Sequence, residues 1–269
     1  MRFTEKLLAA SEKNDSLLCV GLDTDISRVP KHLLNSDNPV LGFNRAIIEA
    51  TADLVCAYKP NTAFYEAMGA DGWRVLKQTI EAIPSHIPVI VDAKRGDIGN
   101  TARMYAQAFY RGLGADAVTV NPYMGFDALK PFLEYPDKCA FVLCLTSNAG
   151  AKDFQYLPSK GKPVYEHIAQ KVVGWSKNGC CGLVVGATYP EQLRRIRQIA
   201  PKLPLLIPGI GVQGGDLEAV SRWGTDRQGQ LAIINSSRAI IYASDGTDFA
   251  QKARVAAERL KERINLCRK

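Results

Sequence analysis

The sequence predicts a single (β/α)8 barrel, a TIM barrel of the α/β class spanning residues 1–269, and three observations carry that prediction. Short apolar runs rich in Val, Ile and Leu recur eight times along the chain. Between them lie segments whose apolar residues return every three to four positions with charges between, as in a helix with one buried face. The length of 269 residues suits one such barrel, which usually needs about 250. A doubly wound sheet is the competing arrangement. It expects a GxGxxG turn after its first strand, whereas Gly21-Leu22-Asp23 follows here.

Taken in order, the runs are 17–22, 54–59, 88–94, 117–121, 139–146, 181–186, 204–208 and 231–236. Runs that are apolar throughout suit strands covered on both faces, as in a parallel sheet. Helices are predicted over 44–52, 72–83, 101–112, 163–178, 190–200 and 249–266. Two long stretches, 147–162 after the fifth run and 211–230 around the seventh, have the length of active-site lids.

Apolar residues make up 46% of the chain. That supports a sizeable core and excludes a largely disordered chain or a disulfide-stapled mini-protein. The net charge of +7 raises the question of nucleic acid. Most of the excess sits in 252–269, with seven basic side chains against two acidic ones. No aromatic residues interleave with them and no binding motif accompanies them, so the segment reads as a solvated helix face rather than a nucleic-acid partner site. Seven cysteines without CxxC spacing, five of them in or beside apolar runs, read as small core residues in a reducing cytosol. The charged N-terminal stretch is no signal peptide. No run approaches the ~18 apolar residues of a membrane span. The expectation is a soluble, cytoplasmic protein.

In such barrels the chemistry sits at the C-terminal ends of the strands. The residues at those ends include Asp23, Lys59, Asp92 with Lys94, Asn121, Thr146-Ser147, Gly209 and Ser237-Arg238. Strand alternation puts Asp92 and Lys94 on one face with Ile90, and in a barrel that face points inward. Lone buried charges are costly, so the two are expected to pair. Lys59 ends the neighbouring strand and joins them. Carboxylates nearby favour protonated lysines, which suits chemistry that holds a carbanion near a cation and then protonates it. Spacing alone also leaves open a purely structural ion network at the barrel mouth. At the other side of the mouth, Pro208-Gly209-Ile210-Gly211-Val212-Gln213-Gly214-Gly215 and Asn235-Ser236-Ser237-Arg238 fall on consecutive strand ends. Loops after strands seven and eight often bind phosphate through backbone N–H groups. Arg238 can clamp phosphate oxygens and Gln213 can donate its amide.

Asp92-Ala93-Lys94-Arg95-Gly96-Asp97-Ile98-Gly99-Asn100-Thr101 resembles the DxKxxDIxxT signature of the orotidine 5′-phosphate decarboxylase family. Val20-Gly21-Leu22-Asp23, Tyr58-Lys59-Pro60-Asn61, Thr146-Ser147-Asn148 and Pro208-Gly209-Ile210-Gly211 match in the family's order and span most of the chain. The stretch 59–66 resembles the family's longer bacterial branch. The resemblance implies conversion of orotidine 5′-monophosphate (OMP) to UMP and CO2, the last step of de novo pyrimidine nucleotide synthesis. It implies that Asp23 holds a ribose hydroxyl and that Lys59 contacts ribose and organises the charges. Asp92 would lie near the substrate carboxylate, and Lys94 would protonate C6. Asp97, Ile98 and Thr101 would reach into the partner's site of a homodimer. Ser147 would meet the pyrimidine, and Gln213, Ser237 and Arg238 the phosphate. No metal or organic-cofactor motif is present, so the protein itself would supply the stabilisation. His32, His86 and His167 lie outside the matched motifs and read as surface or packing residues.

Three alternatives remain open from the sequence. One is a Mg²⁺-dependent sugar-phosphate decarboxylase or aldolase of the same barrel superfamily. Its relatives carry an acidic residue where Lys59 stands, and EDTA would inhibit it. A Schiff-base aldolase would use a neutral lysine and be trapped by borohydride. A non-enzymatic phosphate or nucleic-acid binding module would show steeply salt-dependent binding through 252–269.

Overall fold

Each of the eight apolar runs becomes a strand in a computed structural model that describes residues 1–209 and 216–268. The strands are β1 (Leu18–Gly21), β2 (Ala57–Lys59), β3 (Ile90–Arg95) and β4 (Ala117–Val120). They continue with β5 (Cys139–Leu145), β6 (Cys181–Val185), β7 (Leu205–Pro208) and β8 (Ala232–Ser236). All pair in parallel, in the order β2-β1-β8-β7-β6-β5-β4-β3. The sheet closes between β2 and β3 through isolated bridges, Tyr58 with Val89 and Asn61 with Asp92. There the Tyr58 N–H donates to the Pro88 carbonyl at 3.0 Å and the Asp92 N–H to the Pro60 carbonyl at 2.9 Å. The result is the expected (β/α)8 barrel.

Side-chain alternation divides the core in two. Cys19, Ala57, Ile90, Ala117, Phe141, Val184, Leu206 and Ile233 point into the barrel. Phe141 takes the space that Gly182 leaves, since a Cβ at Gly182 would lie 2.4 Å from its ring. The opposite strand faces pack against the helices in one larger apolar cluster. Helix α1 (Phe3–Lys13) sends Phe3 and Leu7 into the interior cluster. The Phe3 ring meets Phe141 edge-on at 5.5 Å, which covers the barrel at its N-terminal end. The opposite mouth is the end that carries a cleft.

The predicted helices appear with shifted ends. Helix α2 (Pro39–Thr51) starts five residues before the predicted 44. The Asn38 side chain accepts the Leu41 N–H at 3.0 Å, and Pro39 occupies the first helical position, where its missing N–H costs nothing. Two helices follow β2, a single turn α3 (Thr62–Glu66) and then α4 (Ala70–Glu81). Helix α5 (Gly99–Gln107) begins inside the signature segment and passes into a π-helical turn at Ala108–Gly112. Helix α6 (Phe126–Leu133) lies outside the predicted helices and carries Pro131 in its interior.

The two presumed lids differ from their prediction. The first, 147–162, contains a single turn α7 (Ala151–Phe154) and a short ribbon pairing Pro158–Ser159 with Lys162–Pro163. Helices α8 (Val164–Trp175) and α9 (Pro190–Ile199) follow. Within the described part of the second presumed lid lies a helix, α10 (Leu217–Gly224), which starts where Asp216 accepts the Ala219 N–H at 3.1 Å. After β8 come α11 (Arg238–Ile241) and the basic α12 (Phe249–Cys267). Arg254 on α12 pairs with both carboxylate oxygens of Asp53, at 2.7 and 2.8 Å. All seven cysteines are free thiols, and six are buried. Among the described residues, no helix is long and apolar enough to cross a membrane.

Candidate active site

The C-terminal mouth holds a cleft of about 380 Å³ whose lining includes Asp23, Lys59, Asp92, Lys94, Ser147 and Arg238. Lys59 is the last residue of β2, on the same face as the interior Ala57. Its side chain is 3% exposed, and Nζ lies 3.1 Å from Asp92 Oδ2 and 3.5 Å from Asp23 Oδ1. On the other side of Asp92, Lys94 Nζ approaches Oδ1 to 2.6 Å. The charges therefore alternate along Asp23, Lys59, Asp92 and Lys94. The inner cation is sealed between two carboxylates. The outer one is 49% exposed and faces the cleft.

Gly21 brings the two sides of the mouth together. A Cβ there would lie 1.8 Å from Ser237 Oγ, so only glycine lets the end of β8 come this close to β1. Ser237 and Arg238 accordingly line the same cleft as the lysines. Arg238 has no carboxylate partner among the described residues, which leaves its guanidinium available to an anion. Gly209 also lines the cleft. Gln213 lies outside the described residues.

Alternation does not by itself explain how Lys94 meets Asp92. The β3–β4 register runs from Val91 opposite Val118 to Arg95 opposite Val120, so three residues of β3 face one of β4. Within this bulge Lys94 has φ +48°, a left-handed conformation that disfavours non-glycine residues. The expected pairing is present, but a bulge rather than a regular strand delivers it.

Asp97, Ile98 and Thr101 are not brought into this chain's own cleft. Asp97 Oδ1 accepts the Ile98 N–H at 2.8 Å, while Ile98 is 58% exposed and Thr101 is also exposed. Two inward residues have no role assigned from the sequence. Thr119 on β4 donates to Asp92 Oδ1 at 2.9 Å. Asn235 on β8 lines the cleft, and its buried Oδ1 has no hydrogen-bond partner. Each shares its strand's inward parity with an apolar residue, Ala117 or Ile233. A polar residue at inward parity within an apolar run was the available signal.

Burial alone would lower the pKa of Lys59, but Asp23 and Asp92 outweigh it and raise it above the ordinary 10.5. Burial alone would raise Asp92, but Lys59 and Lys94 outweigh it and hold it well below 3.8. The stabilisation from ionised Asp92 is therefore present above 3.8 and is lost as pH falls toward its folded value. That from Lys59 is present below 10.5 and is lost as pH rises through its folded value. Comparing wild type with Asp92→Asn isolates the first effect in urea unfolding. The stability difference should be constant from about pH 5 to 9 and shrink by roughly 1.4 kcal/mol per pH unit below the ordinary carboxylate value. A difference unchanged down to pH 3 would contradict the assigned ion pairs.

Residues 16–253 match the model of the orotidine 5′-phosphate decarboxylase / HUMPS family. A Herpetosiphon aurantiacus protein named orotidine 5′-phosphate decarboxylase is 55% identical over 258 residues, 95% of each chain. The chain belongs to this family. A namesake from Dehalococcoides mccartyi is 52% identical over 273 residues, covering 100% of this chain and 99% of its own. Among solved structures, Leishmania donovani OMP decarboxylase superposes with a TM-score of 0.88 at 43% identity, covering 100% and 99% of the two chains. The family's matched span takes in all eight strands of the barrel and the whole of the alternating charge array. It ends within α12, so most of the basic segment lies beyond it.

Proposed function

We propose that this protein is an enzyme that decarboxylates OMP to UMP and CO2. The observation that carries the proposal is the alternating Asp23–Lys59–Asp92–Lys94 array, with its outermost cation facing the cleft, in a chain of this family. Breaking the C6–carboxylate bond releases neutral CO2 and leaves the electron pair on C6. The Lys94 ammonium, held by Asp92, stabilises that charge and then gives up an N–H proton to form the C6–H bond of UMP. Lys94 regains its proton from solvent, so the net reaction consumes one proton. Lys59 keeps Asp92 ionised and holds Asp23 in place for a ribose hydroxyl.

The remaining roles follow from the family resemblance. Ser147 contacts the pyrimidine, and Ser237 and Arg238 hold the phosphate, joined by Gln213. Leu143, Leu145 and Val184 give the cleft apolar walls, where an ammonium acts more strongly than in water. The charges that act on the substrate come from the chain itself, so no cofactor or metal is invoked. Among the described residues, no cluster of three or more His, Cys, Asp or Glu is arranged to hold a metal.

The protein acts as a homodimer in which Asp97, Ile98 and Thr101 complete the partner's site. Supporting this, Ile98 is 58%, Tyr123 89% and Met124 42% exposed, and the Met124 Cε atom would lie 3.4 Å from a Cβ on Gly96. Exposed apolar groups gathered on one rim suit a surface that is covered in the assembly. The chain works as one catalytic domain in a reducing compartment, the cytoplasm, which suits its free thiols. Nucleic acid is not proposed as a partner; on the basic helix, Arg254 is paired with Asp53 and Glu258. The test is product analysis after incubating purified protein with OMP. UMP and CO2 should appear in equal amounts, and the absence of UMP would overturn the proposal.

A further inference from the structure

The Thr119 hydroxyl sits where β3 loses its register. Residues 92–94 face this single β4 position, and Thr119 is fully buried. The Ala93 N–H donates to Thr119 Oγ1 at 3.0 Å and the Lys94 N–H at 2.9 Å. The same oxygen lies 2.9 Å from Asp92 Oδ1. A threonine hydroxyl has one proton to give and two lone pairs to accept with. Backbone N–H groups can only donate, so they take both lone pairs. The hydroxyl proton is then directed at Asp92, which must present an acceptor oxygen. One side chain thus uses its whole hydrogen-bonding capacity on the bulge. It stands in for the ladder bonds that the bulge removes, holds Lys94 at φ +48°, and orients the carboxylate that pairs with the Lys94 ammonium.

We propose that Thr119 is a positioning residue for the reaction: through Asp92 and the Lys94 backbone, it aims the Lys94 ammonium at the reacting carbon. This rests on the decarboxylase reading above. It predicts an effect on the chemical step rather than on nucleotide binding, because the phosphate and ribose contacts lie on other strands. Thr119→Val keeps the shape but leaves two buried N–H groups and one carboxylate oxygen short of a partner. Thr119→Ala removes the hydroxyl with less crowding, in case the valine variant folds poorly. Thr119→Ser retains the hydroxyl.

The experiment measures kcat for OMP, the dissociation constant of UMP, and amide hydrogen exchange over residues 92–98 in all three variants. Val and Ala should lower kcat roughly 10- to 100-fold, the equivalent of losing one hydrogen bond to a charged group. UMP affinity should stay within about two-fold, and Ser should recover most of the rate. Exchange at Lys94 should rise in Val and Ala and stay near wild type in Ser. Unchanged kcat in Val and Ala, equal losses of kcat and UMP affinity, or a Ser variant as slow as Val would overturn the positioning role. The exchange measurement needs no turnover. A wild type that does not convert OMP would therefore sink the functional reading, whereas unaltered exchange in Val and Ala would sink the Thr119 assignment by itself.

Discussion

Lys94→Ala should lower kcat for OMP by about 10⁴-fold or more, while the protein stays folded and still binds UMP. Two contributions disappear together. Loss of the general acid costs roughly 10²- to 10⁴-fold, and loss of a preorganised charge at the developing carbanion costs roughly 10²- to 10³-fold. The fold should tolerate the change. The Lys94 ammonium is half exposed, so solvent screens its pair with Asp92, and its contribution to stability is small. Asp92 also keeps Lys59 at 3.1 Å and Thr119 at 2.9 Å. Rapid-quench measurement of UMP formation, alongside a UMP titration, checks both halves. A kcat within ten-fold of wild type would remove Lys94 from the role of proton donor.

The second large effect is a recovery. Lys94→Ala and Asp97→Ala subunits should each be nearly inactive alone, the first through its own site and the second through its partner's. Mixed under conditions that exchange subunits, they should regain about a quarter of the wild-type activity. Random pairing makes half the dimers hybrid, and each twofold hybrid has one site with both residues intact. In such a dimer the Asp97→Ala subunit supplies Lys94 and its partner supplies Asp97. No recovery, with exchange verified by mass spectrometry of tagged subunits, would place Asp97 outside the neighbouring site. The test matters because Asp97 does not line the cleft of its own chain, so its proposed role requires a second subunit.

Much of this architecture is written in the apolar runs. All eight predicted runs coincide with barrel strands, because strands buried on both faces need continuous Val, Ile and Leu, a pattern that survives without knowledge of the partners. Parity then carried Lys59 and Asp92 inward with Ala57 and Ile90. Periodicity breaks down where the backbone departs from it. Lys94 meets Asp92 through a bulge and a left-handed residue, and neither leaves a mark in the spacing of apolar residues. Helix α10 falls inside the stretch whose length suggests a lid, although Asp216 is a strong N-cap. Thr119 was hidden because a single hydroxyl inside an apolar run looks like an incidental β-former. The roles of Asp97, Ile98 and Thr101 came only from the resemblance, since a single chain's sequence carries no geometry for its partner.

If the chain's own charges suffice for the decarboxylation, OMP should be converted with no metal present. The most direct test follows the loss of OMP absorbance with protein dialysed exhaustively against EDTA and assayed in its presence. The expected result is full conversion to UMP at an undiminished rate, with no gain on adding Mg²⁺. Absorbance that stays constant until a divalent metal is restored would contradict it.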